Sequence, residues 1–217
     1  MRGVSKDLTA AKALIFRITH RNNVPWFLQH GLHCAYSTNR DPDYVSIGNP
    51  ELIARRNGRV VPITPGGTLS DYVPFYFTPY SPMLYNIRTG WGGIPKRENQ
   101  DVVILVASLR DLEKRKVNFI FTDRHAFLQT AQFFGSLDQL NEIDWIIFQK
   151  RDFKRDDNDP GKMERYQAEA LIHSMMPIAG LRGIVCYSNT VADQVNQACA
   201  QNNLSVKVIK KPEWYFT

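Results

Sequence analysis

Cysteine is scarce in this chain: three in 217 residues, Cys34, Cys186 and Cys199. An odd number cannot pair fully, and the spacing is not that of zinc ligands. They read as reduced thiols, and no metal is expected. No apolar stretch approaches the ~20 residues that cross a bilayer. The opening Met1–Asp7 has no apolar run of the signal-peptide kind. The expectation is a cytoplasmic protein with no membrane contact. Internal repeats and low-complexity tracts are absent. So is a Gly-x-Gly-x-x-Gly turn between strand and helix, which argues against a Rossmann domain. Acids are the scarcer charge, 21 Asp/Glu against 27 Lys/Arg, for a net charge of +6. The imbalance is concentrated early, where residues 1–70 carry nine Lys/Arg and four acids. A basic face suits an anionic partner, a nucleic acid or a phosphorylated cofactor.

What is present suffices for a core: 43% hydrophobic and 12% aromatic residues. The length suits a single domain over 1–217, expected to be a monomer. Leu14–His20 reads as a strand, and Asn22-Asn23-Val24-Pro25 as the start of a helix that Gly31 stops. His20 therefore stands at a strand end beside a helix N-terminus, where free backbone N–H groups hold anions. Asn49–Gly58 is a compact helix with an Asn cap, a Pro start and a Gly stop. Its Arg55 and Arg56 lie about 100° apart, so they point differently.

Tyr72–Thr78 is an aromatic strand, and Ser81-Pro82 opens a helix. Residues 89–100 form a loop with three glycines and the basic pair Lys96-Arg97. Val102–Ala107 and Val117–Thr122 are strands, and Asp123–Phe134 is expected to be helical. Trp145–Phe148, Gly183–Tyr187 and Ser205–Ile209 read as strands, and Asn189–Ala200 as an amphipathic helix. The class is α+β.

Residues 150–171 stand out. Six cations (Lys150, Arg151, Lys154, Arg155, Lys162, Arg165) and five acids share the turn-rich loop 150–165, which leads into Tyr166-Gln167-Ala168-Glu169-Ala170-Leu171. An acid among small and apolar residues is costly unless paired or used. Read alone, Glu169 is an ordinary exposed acid on a helix.

Three sections change that reading: Thr19–Asn23 leading to Gly31-Leu32, Phe75–Tyr85, and Tyr166–Glu169. Their His–Tyr–Glu order resembles the NAD+-gripping pattern of diphtheria-toxin-like ADP-ribosyltransferases. The runs Ile47–Ile53, Tyr72–Pro79, Ser81–Leu84 and Arg165–Ala170 resemble, more narrowly, the DarT family. Those are DNA ADP-ribosyltransferase toxins of bacterial DarT–DarG toxin–antitoxin pairs, and the likeness runs from about Leu14 to Phe216. The resemblance implies an ADP-ribosyltransferase-like split β-sandwich core with short flanking helices.

It also implies NAD+ as substrate, single-stranded DNA as acceptor with thymine as the base, and a DarG-type macrodomain antitoxin as partner. Glu169 would stabilise the oxocarbenium-like ribose as nicotinamide leaves, as carboxylates do in glycoside cleavage. Arg56, with Arg55 as runner-up, would grip the reacting groups by charge-assisted bonds. His20 and Asn22 would hold the adenosine side, and Tyr76, Phe77, Ser81 and Tyr85 the nicotinamide pocket. Lys150, Arg151, Lys154, Arg155 and Arg165 would meet DNA phosphates, with Phe153 and Tyr166 stacking on bases. A guanine-directed transferase, or an idle nucleic-acid-binding domain on the same fold, are the alternatives. Gln167, two residues before Glu169, occupies a position that helps select arginine in protein-modifying relatives.

Overall fold

The computed structural model describes residues 4–217. Its strands are β1 (Leu14–His20), β2 (Leu32–His33), β3 (Tyr72–Tyr76), β4 (Val102–Ser108), β5 (Phe119–Thr122), β6 (Phe133–Phe134), β7 (Glu169–His173), β8 (Met175–Met176), β9 (Leu181–Cys186) and β10 (Val208–Lys210). Its α-helices are α1 (Val24–His30), α2 (Pro50–Arg56), α3 (Pro82–Thr89), α4 (Leu109–Lys114), α5 (Trp145–Lys150), α6 (Lys162–Arg165) and α7 (Asn189–Gln201). Eight strands form one sheet in the order β10-β9-β4-β1-β3-β7-β5-β6, with β2 and β8 paired separately.

The sheet is nearly divided in its middle. β1 and β4 pair at every position from Leu14↔Ser108 to His20↔Val102. Between β1 and β3 a single registered pair, Phe16↔Tyr76, holds the two halves together. β3 then pairs closely with β7, from Tyr72↔His173 to Tyr76↔Glu169. The splay between β1 and β3 opens the floor on which the site is built. It is the form that the expected split core takes.

Burial follows the sequence pattern. β4 is buried along its whole length, as a continuous apolar run requires when both faces are covered. α7 sets Val191, Val195, Ala198 and Cys199 at helical spacing and buries them. β7 is buried on both faces, with Ala170 and Ile172 in the main core and Leu171 in a smaller cluster with Val61, Leu69, Tyr72, Ile120 and Ala126. Strand alternation places Glu169 on the face of Leu171.

Two expected elements differ. Trp145–Phe148 is not a strand but the start of α5, because the Asp144 carboxylate caps it, accepting from the Ile147 N–H at 3.4 Å. A short apolar run carries no periodicity, so only the cap distinguishes the two states. Asp123–Phe134 is not a helix but the wide connection of the β5–β6 hairpin followed by β6 itself. Asp123 fixes it by accepting from Gln132 N–H at 2.9 Å, and Thr122 by donating to the Arg124 carbonyl at 2.7 Å. Side-chain bonds of this local kind compete with helix formation. The helix anticipated around Glu169 is also corrected: α6 stops at Arg165, and Glu169 opens β7.

Candidate active site

Glu169 sits at the inner end of a cleft of about 350 Å³ between the two halves of the sheet. It is 2% exposed. Its backbone N–H donates to Thr122 Oγ1 at 3.2 Å, which fixes the strand start across β5. Its carboxylate is held from two sides. Ala126 N–H donates to Oε1 at 3.1 Å, and Arg56 Nη1 lies 3.2 Å from Oε1 and 3.0 Å from Oε2. Arg56 reaches it from the last turn of α2. That helix is set by Asn49, whose side chain accepts from Leu52 N–H at 3.0 Å, and by Pro50 in its first turn. Arg55, one position earlier, points elsewhere, with its guanidinium 4.6 Å over the Phe127 ring.

The ion pair leaves capacity unused. Arg56 Nη2 is enclosed without a partner, and so is Nε of Arg17. Both arginines line the cleft. Arg17 is fixed by donating from Nη1 to the Pro74 carbonyl at 2.8 Å and from Nη2 to the Tyr44 hydroxyl at 3.4 Å. Buried charged donors normally find acceptors, and these two have none among the described residues. The cleft walls are otherwise apolar and aromatic, including Trp26, Ile47, Leu52, Tyr76 and Met83. A few convergent polar groups in an apolar cleft are what a cofactor-sized ligand requires.

His125 completes the inner end. Its Nδ1 lies 3.4 Å from Glu169 Oε1 and accepts from the Phe127 N–H at 3.2 Å. That bond puts the proton of the neutral ring on Nε2. Burial lowers its pKa below the ordinary histidine value; the Glu169 carboxylate opposes this and the Arg56 guanidinium adds to it. Burial, then the Glu169 carboxylate, push the Tyr76 hydroxyl well above the ordinary tyrosine value. That hydroxyl donates to Met83 Sδ at 3.6 Å, joining β3 to α3 at the cleft wall.

A sequence model of the family described as "ssDNA thymidine ADP-ribosyltransferase, DarT" matches residues 16–216. A DNA ADP-ribosyl transferase of Escherichia coli O127:H6 is 52% identical over 98% of both chains. The structure of Thermus sp. 2.9 DarT in complex with ADP-ribosylated ssDNA superposes with a TM-score of 0.88 at 33% identity, covering 95% of this chain and 97% of that one. The same Thermus protein in complex with NAD+ gives 0.83 at 33% identity, over 94% and 98%.

The chain belongs to the DarT family. It is an NAD+-dependent ADP-ribosyltransferase, as the expected enzyme class required.

Against that DarT-family background, the structure gathers Glu169, Arg56 and Tyr76 in the cleft and leaves the other expected cofactor residues outside its lining. Arg17, Ile18 and Thr19 line the cleft from β1, and His20, the next residue, lies outside the lining. His20 is buried near Arg97 and Asp101, its Nδ1 accepting from Asn22 N–H at 3.2 Å. Burial, followed by Arg97, lowers its pKa. Asn22 is exposed. Its neighbour Asn23 is the one that reaches the cleft. Asn23 does not cap α1 but donates to Thr19 Oγ1 and the Val45 carbonyl and accepts from Val45 N–H, pinning the cleft-lining segment around Tyr44–Gly48.

Ser81 is fully buried as the cap of α3, accepting from Leu84 N–H at 3.2 Å. Tyr85 is 40% exposed, edge-on to Phe153 and Phe216. Phe77 is fully buried against Phe121, Trp145 and Phe148. It is core rather than pocket. Phe77→Ala should cost about 3–5 kcal/mol and lower the melting temperature by roughly 10 °C. The NAD+ affinity of the folded fraction should stay unmoved. A loss of affinity without a fall in melting temperature would return Phe77 to the pocket.

The 150–165 segment is a self-paired scaffold. Lys162 is buried between Asp152 and Asp156, at 3.0 and 3.3 Å. Arg165 forks onto Asp159 at 3.1 and 2.6 Å and donates to Asp144. Arg151 lies 3.8 Å over the Tyr80 ring and donates to Ser5 Oγ. Tyr166 is fully buried against Phe148 and Phe153, so it cannot stack on a base. Phe153 packs between Tyr85, Tyr166 and Phe216. Of the expected DNA contacts, Lys150, Lys154 and Arg155 keep exposed heads, although Arg155 stands 3.8 Å from Asp157. Sequence reasoning missed His125, Arg17, Asn23 and the Ala126 N–H. His125 and Ala126 lay inside the expected helix, and Arg17 inside an apolar strand, where neither periodicity nor motif singles them out.

Proposed function

We propose that the protein transfers ADP-ribose from NAD+ to thymine in single-stranded DNA, releasing nicotinamide. The observation that carries this reading is the Glu169–Arg56 pair on the cleft wall, its carboxylate held by Ala126 N–H and Arg56 Nη1. As the nicotinamide–ribose bond breaks, positive charge develops on the ribose carbon. The Glu169 carboxylate, held in place by Ala126 N–H and Arg56, faces that charge without reorganising. Arg56 Nη2 and Arg17 Nε supply donors for ribose or phosphate oxygens, and Tyr76 and Met83 wall the nicotinamide side. Thymine N3 then bonds to the ribose carbon that nicotinamide has left, and its proton passes to water. The thymidine specificity in the family's description, and the ADP-ribosylated ssDNA held by the Thermus relative, support this acceptor. Lys150, Lys154 and Arg155 are the phosphate contacts this reading retains.

N3 lies on the Watson–Crick edge, so paired DNA hides it. Annealing a complement to a thymine-containing oligonucleotide should slow modification at least tenfold, since opening a pair costs a few kcal/mol. Equal rates on duplex and single strand would reject the N3 acceptor. A guanine-only oligonucleotide carrying label while a thymine-only one stays silent would keep the transferase and overturn the base. The family's toxin role follows from the same chemistry, because bulky adducts on template bases block copying. Expression should therefore arrest growth, and a DarG-type macrodomain protein should relieve the arrest. No helix among the described residues is long and apolar enough to cross a membrane.

A further inference from the structure

No residue of the Gly-rich loop after α3 lines the cleft. Trp91 stands in it 70% exposed, between Gly90, Gly92 and Gly93, all at positive φ. The other tryptophans, Trp26, Trp145 and Trp214, are partly or fully buried. The loop is nonetheless anchored. Gly90 N–H donates to the Asn86 carbonyl at 2.7 Å, Trp91 N–H to Thr89 Oγ1 at 3.3 Å, and Arg97 N–H to the Ile87 carbonyl at 2.9 Å. Ile94 is buried beneath it. A large aromatic ring is thus held in water on a well-tied base, with open space above Gly92 and Gly93.

The base of the loop is cationic and under-satisfied. It carries Arg88, Lys96 and Arg97, with Arg21 and His20 adjoining at the end of β1. Three enclosed polar atoms without partners fall on this segment: Nε of Arg88, Nε of Arg97 and Oδ1 of Asn99. Glu98 takes one face of Arg88 at 3.3 Å and Asp101 stands 3.9 Å from Arg21, which leaves Lys96 exposed and Arg97 part-exposed, neither with an acidic partner among the described residues.

The loop is also connected to the cleft. Met83, in the first turn of α3, lines the cleft, and Gly90-Trp91 closes the other end of that helix, ~12 Å away at 1.5 Å per residue. Half-exposed Tyr85 and Arg88 lie along α3 between them, beside the 150–165 segment that Phe153 fastens to Tyr85.

We propose that Trp91, with Lys96 and Arg97, is a second contact for single-stranded nucleic acid, stacking on a base a few nucleotides from the acceptor in the cleft. Exposed aromatics stack on any base, and neighbouring cations meet the phosphates between. This site rests on the single-strand acceptor reading above. It makes binding depend on strand length as well as on the acceptor base.

The test compares wild type, W91A and W91F on thymine-containing oligonucleotides of two lengths, one covering the acceptor alone and one about ten nucleotides long. W91A should weaken binding and raise KM for the long strand by about 5- to 150-fold, the equivalent of about 1–3 kcal/mol per stacked base. W91F should recover most of that, and KM for NAD+ should not move. On the short strand the three proteins should be alike. Long-strand binding should quench the exposed Trp91 fluorescence in wild type, and the quench should vanish in W91F. W91A matching wild type on the long strand, or an unchanged quench in W91F, overturns the site while leaving the transferase standing. A wild type that neither binds nor modifies single strands overturns both.

Discussion

Glu169→Gln should retain the fold and lose ADP-ribosyl transfer by 100-fold or more. The change keeps the side-chain volume and an oxygen for Ala126 N–H, so the start of β7 stays in place. What disappears is the negative charge that the proposed reading sets against the ribose, worth about 3 kcal/mol in a preorganised site. Glutamine is more diagnostic than alanine here. Arg56 and Glu169 are both buried, with side-chain exposures of 13% and 3%. Removing one partner of such a pair strands the other, at a cost of about 3–5 kcal/mol in stability. Glu169→Ala should therefore lower both activity and melting temperature, whereas Glu169→Gln, which keeps one oxygen as an acceptor, should lower the melting temperature less for a comparable loss of activity. Single-turnover transfer to a thymine oligonucleotide, read beside a thermal melt, makes the measurement. A Gln variant transferring near the wild-type rate would remove Glu169 from the chemistry.

How far the sequence reached depends on what kind of signal each part carries. α2 was legible to its ends because Asn49, Pro50 and Gly58 mark both boundaries chemically. β4 was legible because an unbroken apolar run of that length fits a strand covered on both faces. β7 was not, because Glu169-Ala170-Leu171-Ile172 has no alternation: both of its faces are buried, and the acid that interrupts the run is there for the site. α5 was read as a strand for the same reason in reverse, four apolar residues with only Asp144 to declare a helix.

The site shows the same division. Glu169 and Arg56 came from a family resemblance that spans the chain, and the cleft joins them across 113 positions of sequence. His125 is supplied by a loop whose shape is set by Asp123 and Thr122 bonding to backbone, and no local pattern announces that. The 150–165 segment shows how much of a charge count can be internal. Its charge count was right, but Lys162 and Arg165 spend their donors on Asp152, Asp156, Asp159 and Asp144. Composition shows which charges exist and not which are free.

Arg56→Ala and Arg55→Ala should part company by more than tenfold. The two residues are neighbours on one short helix, so a general effect on α2 or on surface charge would strike both alike. Only Arg56 turns inward, its Nη1 meeting both Glu169 carboxylate oxygens and its Nη2 left without a partner among the described residues. A hydrogen bond to a charged group contributes about 1.5–3 kcal/mol, so its loss should cost roughly 10- to 150-fold in kcat/KM for NAD+. The loss should be larger if Glu169 also loses its alignment.

Arg55 covers the Phe127 ring at the surface, and its removal should cost a few-fold at most. Arg56→Lys supplies the remaining distinction. A lysine keeps the positive charge beside Glu169 but cannot hold the carboxylate and present a second donor together, because it lacks the planar fork. It should restore stability more than activity. If Arg56→Lys instead recovers full turnover, the role of residue 56 is charge alone, and the unpartnered Nη2 has no part in gripping NAD+. If Arg55→Ala proves as damaging as Arg56→Ala, the inward register of α2 is not the one that binds the cofactor.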